Sequence, residues 1–149
     1  MSDIMTLTGI VATEPRSVTT PEGLAITSFR LASSQRRFDR QTQSWVDGET
    51  NWYTVSSFRR LAENLAASLT KGDPVLVRGR VRIREWQNEQ RSGTTVEVEA
   101  DSVGLDLLWG RSTFDRVSAR SAETTGGPAP SSAPPASAVV DDAGWAITA

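Results

Sequence analysis

Residues 74–86, PVLVRGRVRIREW, alternate with a period of two. In an extended chain, Val75, Val77, Gly79, Val81 and Ile83 point one way, and Arg78, Arg80, Arg82, Arg84 and Trp86 point the other. One face is predicted to join a core; the other is a cationic stripe that ends in an indole. Gly79 predicts a bulge or a bend within this strand. A first strand is predicted over residues 6–12, with Gly9 where backbones approach closely or the strand bends. Over residues 25–34, Thr27, Phe29 and Leu31 alternate with Ser28, Arg30 and Ala32, which predicts Phe29 and Leu31 inside and Arg30 outside. Over residues 51–58, Trp52, Thr54, Ser56 and Phe58 share one face and Tyr53, Val55 and Ser57 the other. A core face does not usually place Thr and Ser between its large residues, so Trp52 and Phe58 are predicted exposed and Val55 buried. Leu61, Leu65 and Leu69 recur at helical spacing and predict a helix over residues 59–69, closed by Lys71-Gly72. A last strand runs from Thr94 to Leu107 or Leu108, with Glu97, Glu99 and Asp101 opposite in face to Val96, Val98 and Ala100.

The connections are polar. Pro15, Pro21 and Gly23 punctuate the link between the first two strands, and residues 87–93 read as a hairpin loop with Gly93 at its end. Residues 35–50, QRRFDRQTQSWVDGET, are too polar to bury and carry a turn signal at Asp47-Gly48. They predict a long hairpin excursion bearing Arg36, Arg37 and Arg40, with Phe38 and Trp45 interleaved. Phe38, flanked by arginines, suits a nucleic-acid contact; Trp45 suits equally a base contact, a cap on the barrel or a contact with a neighbouring subunit. The order strand, strand, strand, helix, strand, strand predicts an all-β protein. It is the layout of a five-stranded oligonucleotide-binding (OB) barrel with one helix between strands three and four.

Composition narrows the chemistry. Among 149 residues there is no cysteine and no histidine, which removes thiol nucleophiles, imidazole bases and thiolate or imidazole metal sites. No carboxylate pair stands at a spacing that demands a hard metal, so neither an enzyme nor a cofactor is expected. No apolar run approaches the ~20 residues of a membrane span. The opening MSDIMTLTG lacks the basic and apolar regions of a secretory signal, and the cytoplasm is the expected compartment. Residues 1–110 are expected to form the domain. Residues 111–149, with GGPAPSSAPPASA, are too poor in apolar side chains to order themselves and are expected to be a disordered tail.

The net charge of −2 is unevenly spread. Residues 30–91 hold twelve cationic and seven acidic side chains, a net of +5. Arginines beside exposed aromatics are what a sheet needs to hold a phosphate backbone and stack bases. Candidate stacking residues are Phe38, Trp52, Phe58 and Trp86; candidate phosphate contacts are Arg36, Arg37, Arg40, Arg78, Arg80, Arg82 and Arg84. A second reading pairs the stripe with Glu97, Glu99 and Asp101 across a hairpin, each pair contributing about 0.2–1 kcal/mol. Rival functions are an RNA-binding barrel of the cold-shock sort and an oligomeric protein-interaction scaffold.

The stretches FRLASSQRRFDRQTQSW, TNWYTVSSF, LAENLAASLTKGDPVLVRGRVRIREW and VEVEADSVG give residues 6–109 a resemblance to the bacterial single-stranded DNA-binding proteins. The resemblance implies base stacking at the positions held here by Phe38, Trp52, Phe58 and Trp86. It further implies a homotetramer that wraps single-stranded DNA with little sequence preference during replication, recombination and repair, without a cofactor. In such a tetramer the first strand and parts of the sheet are where subunits associate. The tail departs from the family pattern of an acidic run and a short apolar tip that docks repair and replication enzymes. Here Asp141, Asp142, Gly144 and Trp145 are followed by further residues to Ala149. Partner docking is therefore not carried over to this tail, and a secondary, specialised copy is the expectation.

Overall fold

The structure, a computed structural model, describes residues 1–118; the residues of the tail singled out above, from Asp141 to Ala149, lie outside them. Residues Met1–Thr113 form one compact unit. Its elements are β1 (Ile4–Val11), β2 (Arg16–Thr19), β3 (Ala25–Asp39), β4 (Ser44–Phe58), α1 (Arg59–Ser68), β5 (Pro74–Gln87) and β6 (Ser92–Leu105). The strand order β1-β5-β6-β4-β3-β2, with β1 also paired to β3, closes five of the six strands into a ring. This is the predicted five-stranded barrel with its helix, now between β4 and β5. The sixth strand, β2, lies within the segment predicted as a connection, pairing Arg16 with Ser28 through Thr19 with Ala25. All four of its residues are exposed, so no apolar alternation marks it.

The core consists of Val11, Phe29, Leu31, Val55, Leu65, Leu69, Val75, Val77, Val98 and Ala100. Phe29, Leu31, Val55, Val75, Val77, Val98 and Ala100 follow the strand alternation, Leu65 and Leu69 the helical spacing, and Val11 lies on a strand to which the sequence pattern assigns no core face. One buried hydroxyl ties the helix to the barrel wall, and a second joins β4 to β3. Thr27 Oγ1 donates to the Ala62 carbonyl at 2.8 Å, and Ser57 Oγ donates to the Thr27 carbonyl at 3.1 Å. Since the one proton of Thr27 is spent on Ala62, Ser17 on β2 must donate across its 2.9 Å contact with Thr27 Oγ1. Both buried hydroxyls are thereby satisfied, which removes the cost of burying them. The helix ends at Ser68, ahead of the expected closure at Lys71-Gly72, with Leu69 as an extended C-cap whose N–H donates to the Leu65 carbonyl; Gly72, at φ +98°, lies in the turn that follows, where its N–H donates to the Val11 carbonyl at 2.8 Å.

Two glycines allow the ring to close. A methyl at Gly9 would stand 2.5 Å from the Ala32 carbonyl oxygen, where β1 leaves β5 and meets β3. At Gly79 a methyl would strike the Glu99 carbonyl and the Ala100 backbone. The β5–β6 register shifts there: Arg78 faces Ser102 and Gly79 faces Ala100, leaving Asp101 unopposed. This is the bulge that Gly79 predicts.

Four expectations are corrected. Ile83, assigned to the core face, is 69% exposed. It lies where β5 and β6 continue as a two-stranded ribbon beyond the β4–β6 pairing at residues 97–99 of β6, so no third strand among the described residues covers its inner side. The arm does not turn at Asp47-Gly48. β3 and β4 stay paired to Asp39 and Ser44, Asp47 stands opposite Arg36, and the chain reverses over residues 40–43 with Gln43 at φ +48° and Asp39 Oδ1 accepting the Gln41 N–H. Gly93 belongs to β6, opposite Trp86, and the hairpin loop is held by Asn88, whose Oδ1 accepts the N–H groups of Gln90 and Arg91. The last strand ends at Leu105 rather than at Leu107 or Leu108, because Asp106 turns the chain, its Oδ1 accepting the Leu108 N–H at 3.0 Å.

Candidate nucleic-acid interface

The outer wall of the barrel is assembled by register. Arg30 on β3 faces Thr54 on β4, Thr54 aligns with Glu97 on β6, and Glu97 faces Arg82 on β5. Since β4 and β6 are parallel and β5 is antiparallel to both, stepping back from Thr54 to Trp52 moves along β6 toward Gly93, and Gly93 faces Trp86. Trp52 and Trp86 therefore rise at the same end of one face. Phe38 lies further toward that end on the β3–β4 arm, whereas Phe58 lies at the opposite end as the last residue of β4. Phe58 is half-buried, while Phe38, Trp52 and Trp86 are about half exposed.

Each exposed aromatic rests on a support. Trp52 faces the small side chain of Ala32, and the Arg30 guanidinium lies 5.9 Å from its ring centroid while donating to Thr54 Oγ1 at 3.0 Å. A guanidinium held over an indole contributes about 0.5–1 kcal/mol at an exposed site and orients the ring. The sequence places Arg30 outside without a role; its partner becomes visible only when β3 and β4 are in register. Trp86 lies against Gly93, where a methyl would come within 2.7 Å of the indole. Phe38 and Trp45 face each other across the arm, with ring centroids 5.6 Å apart and planes at 67°. Trp45 thus packs edge-to-face on Phe38 within the same hairpin, an arrangement worth about 0.5–1.5 kcal/mol beyond buried area.

The arginines divide into two groups. Arg78 Nη1 contacts Asp101 Oδ2 at 2.6 Å, Arg82 Nη2 contacts Glu99 Oε2 at 3.1 Å, and Arg84 Nε contacts Glu97 Oε2 at 2.8 Å. Arg36 stands 3.5 Å from Asp47 in a more open pair. Arg37, Arg40 and Arg80 make no ion pair among the described residues. The cross-strand pairing weighed from the sequence is therefore present for three of the four stripe arginines. Among the described residues no His, Cys, Asp or Glu cluster could hold a metal ion, and no helix is long and apolar enough to cross a membrane.

Comparison with known proteins agrees with this architecture. A model of the Single-strand binding protein family matches residues 3–106. The chain is 53% identical over 112 residues to Single-stranded DNA-binding protein 2 of Tropheryma whipplei (strain Twist), covering 75% of this chain and 74% of that protein. It is 42% identical over 126 residues to Single-stranded DNA-binding protein 2 of Streptomyces avermitilis, covering 85% and 79% of the two. The crystal structure of a small single-stranded DNA-binding protein from Streptomyces coelicolor matches with a TM-score of 0.68 at 38% identity, over 73% of this chain and 98% of that one. The family match takes in the ring of strands, the helix and both long hairpins, and on that ground the chain belongs to the single-strand binding protein family.

Proposed function

We propose that the chain binds single-stranded DNA with little sequence preference, bases stacking on Trp52, Trp86, Phe38 and Phe58 and phosphates meeting the arginines around them. The observation that carries this reading is the common end and face of Trp52 and Trp86, each indole supported from below and left open to solvent. Every base has a π face, so such a platform tolerates sequence and holds about 1–3 kcal/mol per stacked base. Of the seven candidate arginines, Arg37, Arg40 and Arg80, with Arg36 in its more open pair, are the freest to meet phosphate; Arg78, Arg82 and Arg84 are engaged by carboxylates. The work is binding without catalysis and needs no cofactor. Its setting is exposed chromosomal DNA in the cytoplasm during replication, recombination and repair. Residues 1–110 carry it, as the DNA-binding domain ahead of a separate tail.

Self-association, as a homotetramer, is part of the proposal. It is supported by Ile4 and Ile10 on β1 and Leu76 on β5, exposed apolar side chains on the outward face of two paired strands. A single barrel leaves that apolar surface in water, and a second copy would cover it.

The test is tryptophan fluorescence during titration with a dT oligomer at two salt concentrations. Four freely neutralised phosphates correspond to a slope near −2.8, hence about fiftyfold weaker binding at ~200 than at ~50 mM salt. Strong quenching that survives the higher salt is expected; no quenching at either salt would overturn the reading and favour an interaction scaffold. A matched RNA oligomer that competes equally would instead favour the cold-shock type of barrel. Gly93→Val supplies a local check. It is expected to push the Trp86 indole off its seat and weaken dT binding about 5- to 150-fold, the effect of one lost stack, as read by anisotropy of a labelled oligomer.

A further inference from the structure

The row of arginines on β5 meets a row of carboxylates on β6, and the two rows do not match in number. Four guanidiniums, at 78, 80, 82 and 84, face three carboxylates, at 97, 99 and 101. The pairs lean by one step along the ribbon. Arg84, which faces Thr95, takes Glu97; Arg82, which faces Glu97, takes Glu99. Arg80 faces Glu99, already engaged by Arg82, and Arg78 takes the unopposed Asp101 of the bulge. Arg80 is left over.

The carboxylates lie deeper than the guanidiniums. The side chains of Arg82 and Arg84 are 58% and 64% exposed, those of Glu99 and Glu97 34% and 33%. A phosphate that approaches Arg82 or Arg84 from outside meets a pair that is already neutral. It displaces no condensed counterion in favour of a protein charge, and that displacement is the source of salt-dependent affinity. The ladder thus turns a stripe that reads as four positive charges into one that presents a single net charge.

We infer that Glu97 and Glu99 are positioning residues that hold Arg84 and Arg82 out of phosphate binding, leaving Arg80 as the phosphate anchor of β5 and setting how steeply binding falls with salt. This rests on the single-stranded DNA reading above. The two carboxylates act on DNA through their arginine partners, and their removal should strengthen binding.

The experiment measures dT-oligomer affinity from about 50 to 200 mM salt for the full chain and for a Glu97→Gln, Glu99→Gln double variant. Freeing two guanidiniums is expected to steepen the slope by up to about 1.4, so that the variant loses about sevenfold more affinity than the wild type across this range while binding more tightly at the low end. Glu97→Asp with Glu99→Asp keeps both charges and is expected to retain the wild-type slope. A second pair of variants separates the lone cation from a complete ion pair: Arg80→Gln should flatten the slope by about 0.7, and Arg84→Gln made together with Glu97→Gln, which removes a whole pair, should leave it nearly unchanged. Equal flattening by Arg80→Gln and by the Arg84→Gln, Glu97→Gln pair, or a wild-type slope in the folded Glu97→Gln, Glu99→Gln variant, would overturn the inference while single-stranded DNA binding stood. A wild-type chain that bound no dT oligomer would overturn the underlying reading itself.

Discussion

A Trp52→Ala, Trp86→Ala double variant is expected to bind a dT oligomer at least about thirtyfold more weakly than the wild type, at about 1 kcal/mol or more for each lost stack. The loss should be the same at low and high salt, because neither indole carries charge and neither forms an ion pair. Its melting temperature should stay close to that of the wild type. Both rings are about half exposed, and neither belongs to the core built on Val55, Val98 and their neighbours. The measurement is anisotropy of a labelled oligomer at several salt concentrations alongside a thermal melt. Unchanged affinity would remove the stacking platform from the proposal and leave only the arginines. The contrast with the β5–β6 ladder is diagnostic: aromatic variants shift the whole salt curve, whereas charge variants change its slope.

Leu31→Ala is expected to destabilise the barrel by about 2–5 kcal/mol, the range for a fully buried leucine truncated to alanine. Leu31 is completely buried on β3, facing Val11 of β1 and Tyr53 of β4. It therefore sits where the ring closes, and the strands on either side cannot collapse into the vacated space without opening the β1–β3 contact. Small domains are stable by only about 5–15 kcal/mol, so the loss is a large share of the whole. Urea unfolding followed by circular dichroism measures it. A change below about 1 kcal/mol would mean that the closure relaxes around the cavity and that Leu31 is not a principal support of the ring.

The outward aromatics were legible from alternation alone. Trp52 and Phe58 fall on the face opposite Val55 and Ser57, and Trp86 falls with the arginines opposite Val75 and Val77, as the structure has them. The period of two tells which side a residue takes, but not how far the core extends along the strand. Ile83 obeys the alternation and is nevertheless exposed, since the β5–β6 ribbon outruns the barrel before reaching it. The arm fails in a related way. Asp47-Gly48 is a sound turn signal locally, yet pairing of Arg36 with Asp47 and of Phe38 with Trp45 carries the strands past it. Cross-strand contacts of this kind outweigh local turn preference. β2 shows the converse, a strand formed by pairing alone with no apolar pattern to announce it.

Side-chain direction is a local property of an extended chain, and the sequence by itself determined which side of the patterned strands turns inward, which aromatics point outward, where the helix lies and that Gly9 and Gly79 mark close approach or bending. Charge is different. Residues 30–91 read as a cationic segment because Glu97, Glu99 and Asp101 fall outside it in sequence. Only the antiparallel fold of β6 onto β5 brings those carboxylates to within 2.6–3.1 Å of three arginines. The bulge at Gly79 leaves Asp101 unopposed for Arg78, and the diagonal pairing of Arg82 and Arg84 leaves Arg80 without a carboxylate. The seats of Trp52 on Ala32 and Arg30, and of Trp86 on Gly93, likewise depend on register. Register joins residues distant in the chain through hydrogen bonds between strands, and no local pattern of hydrophobic and polar positions contains it.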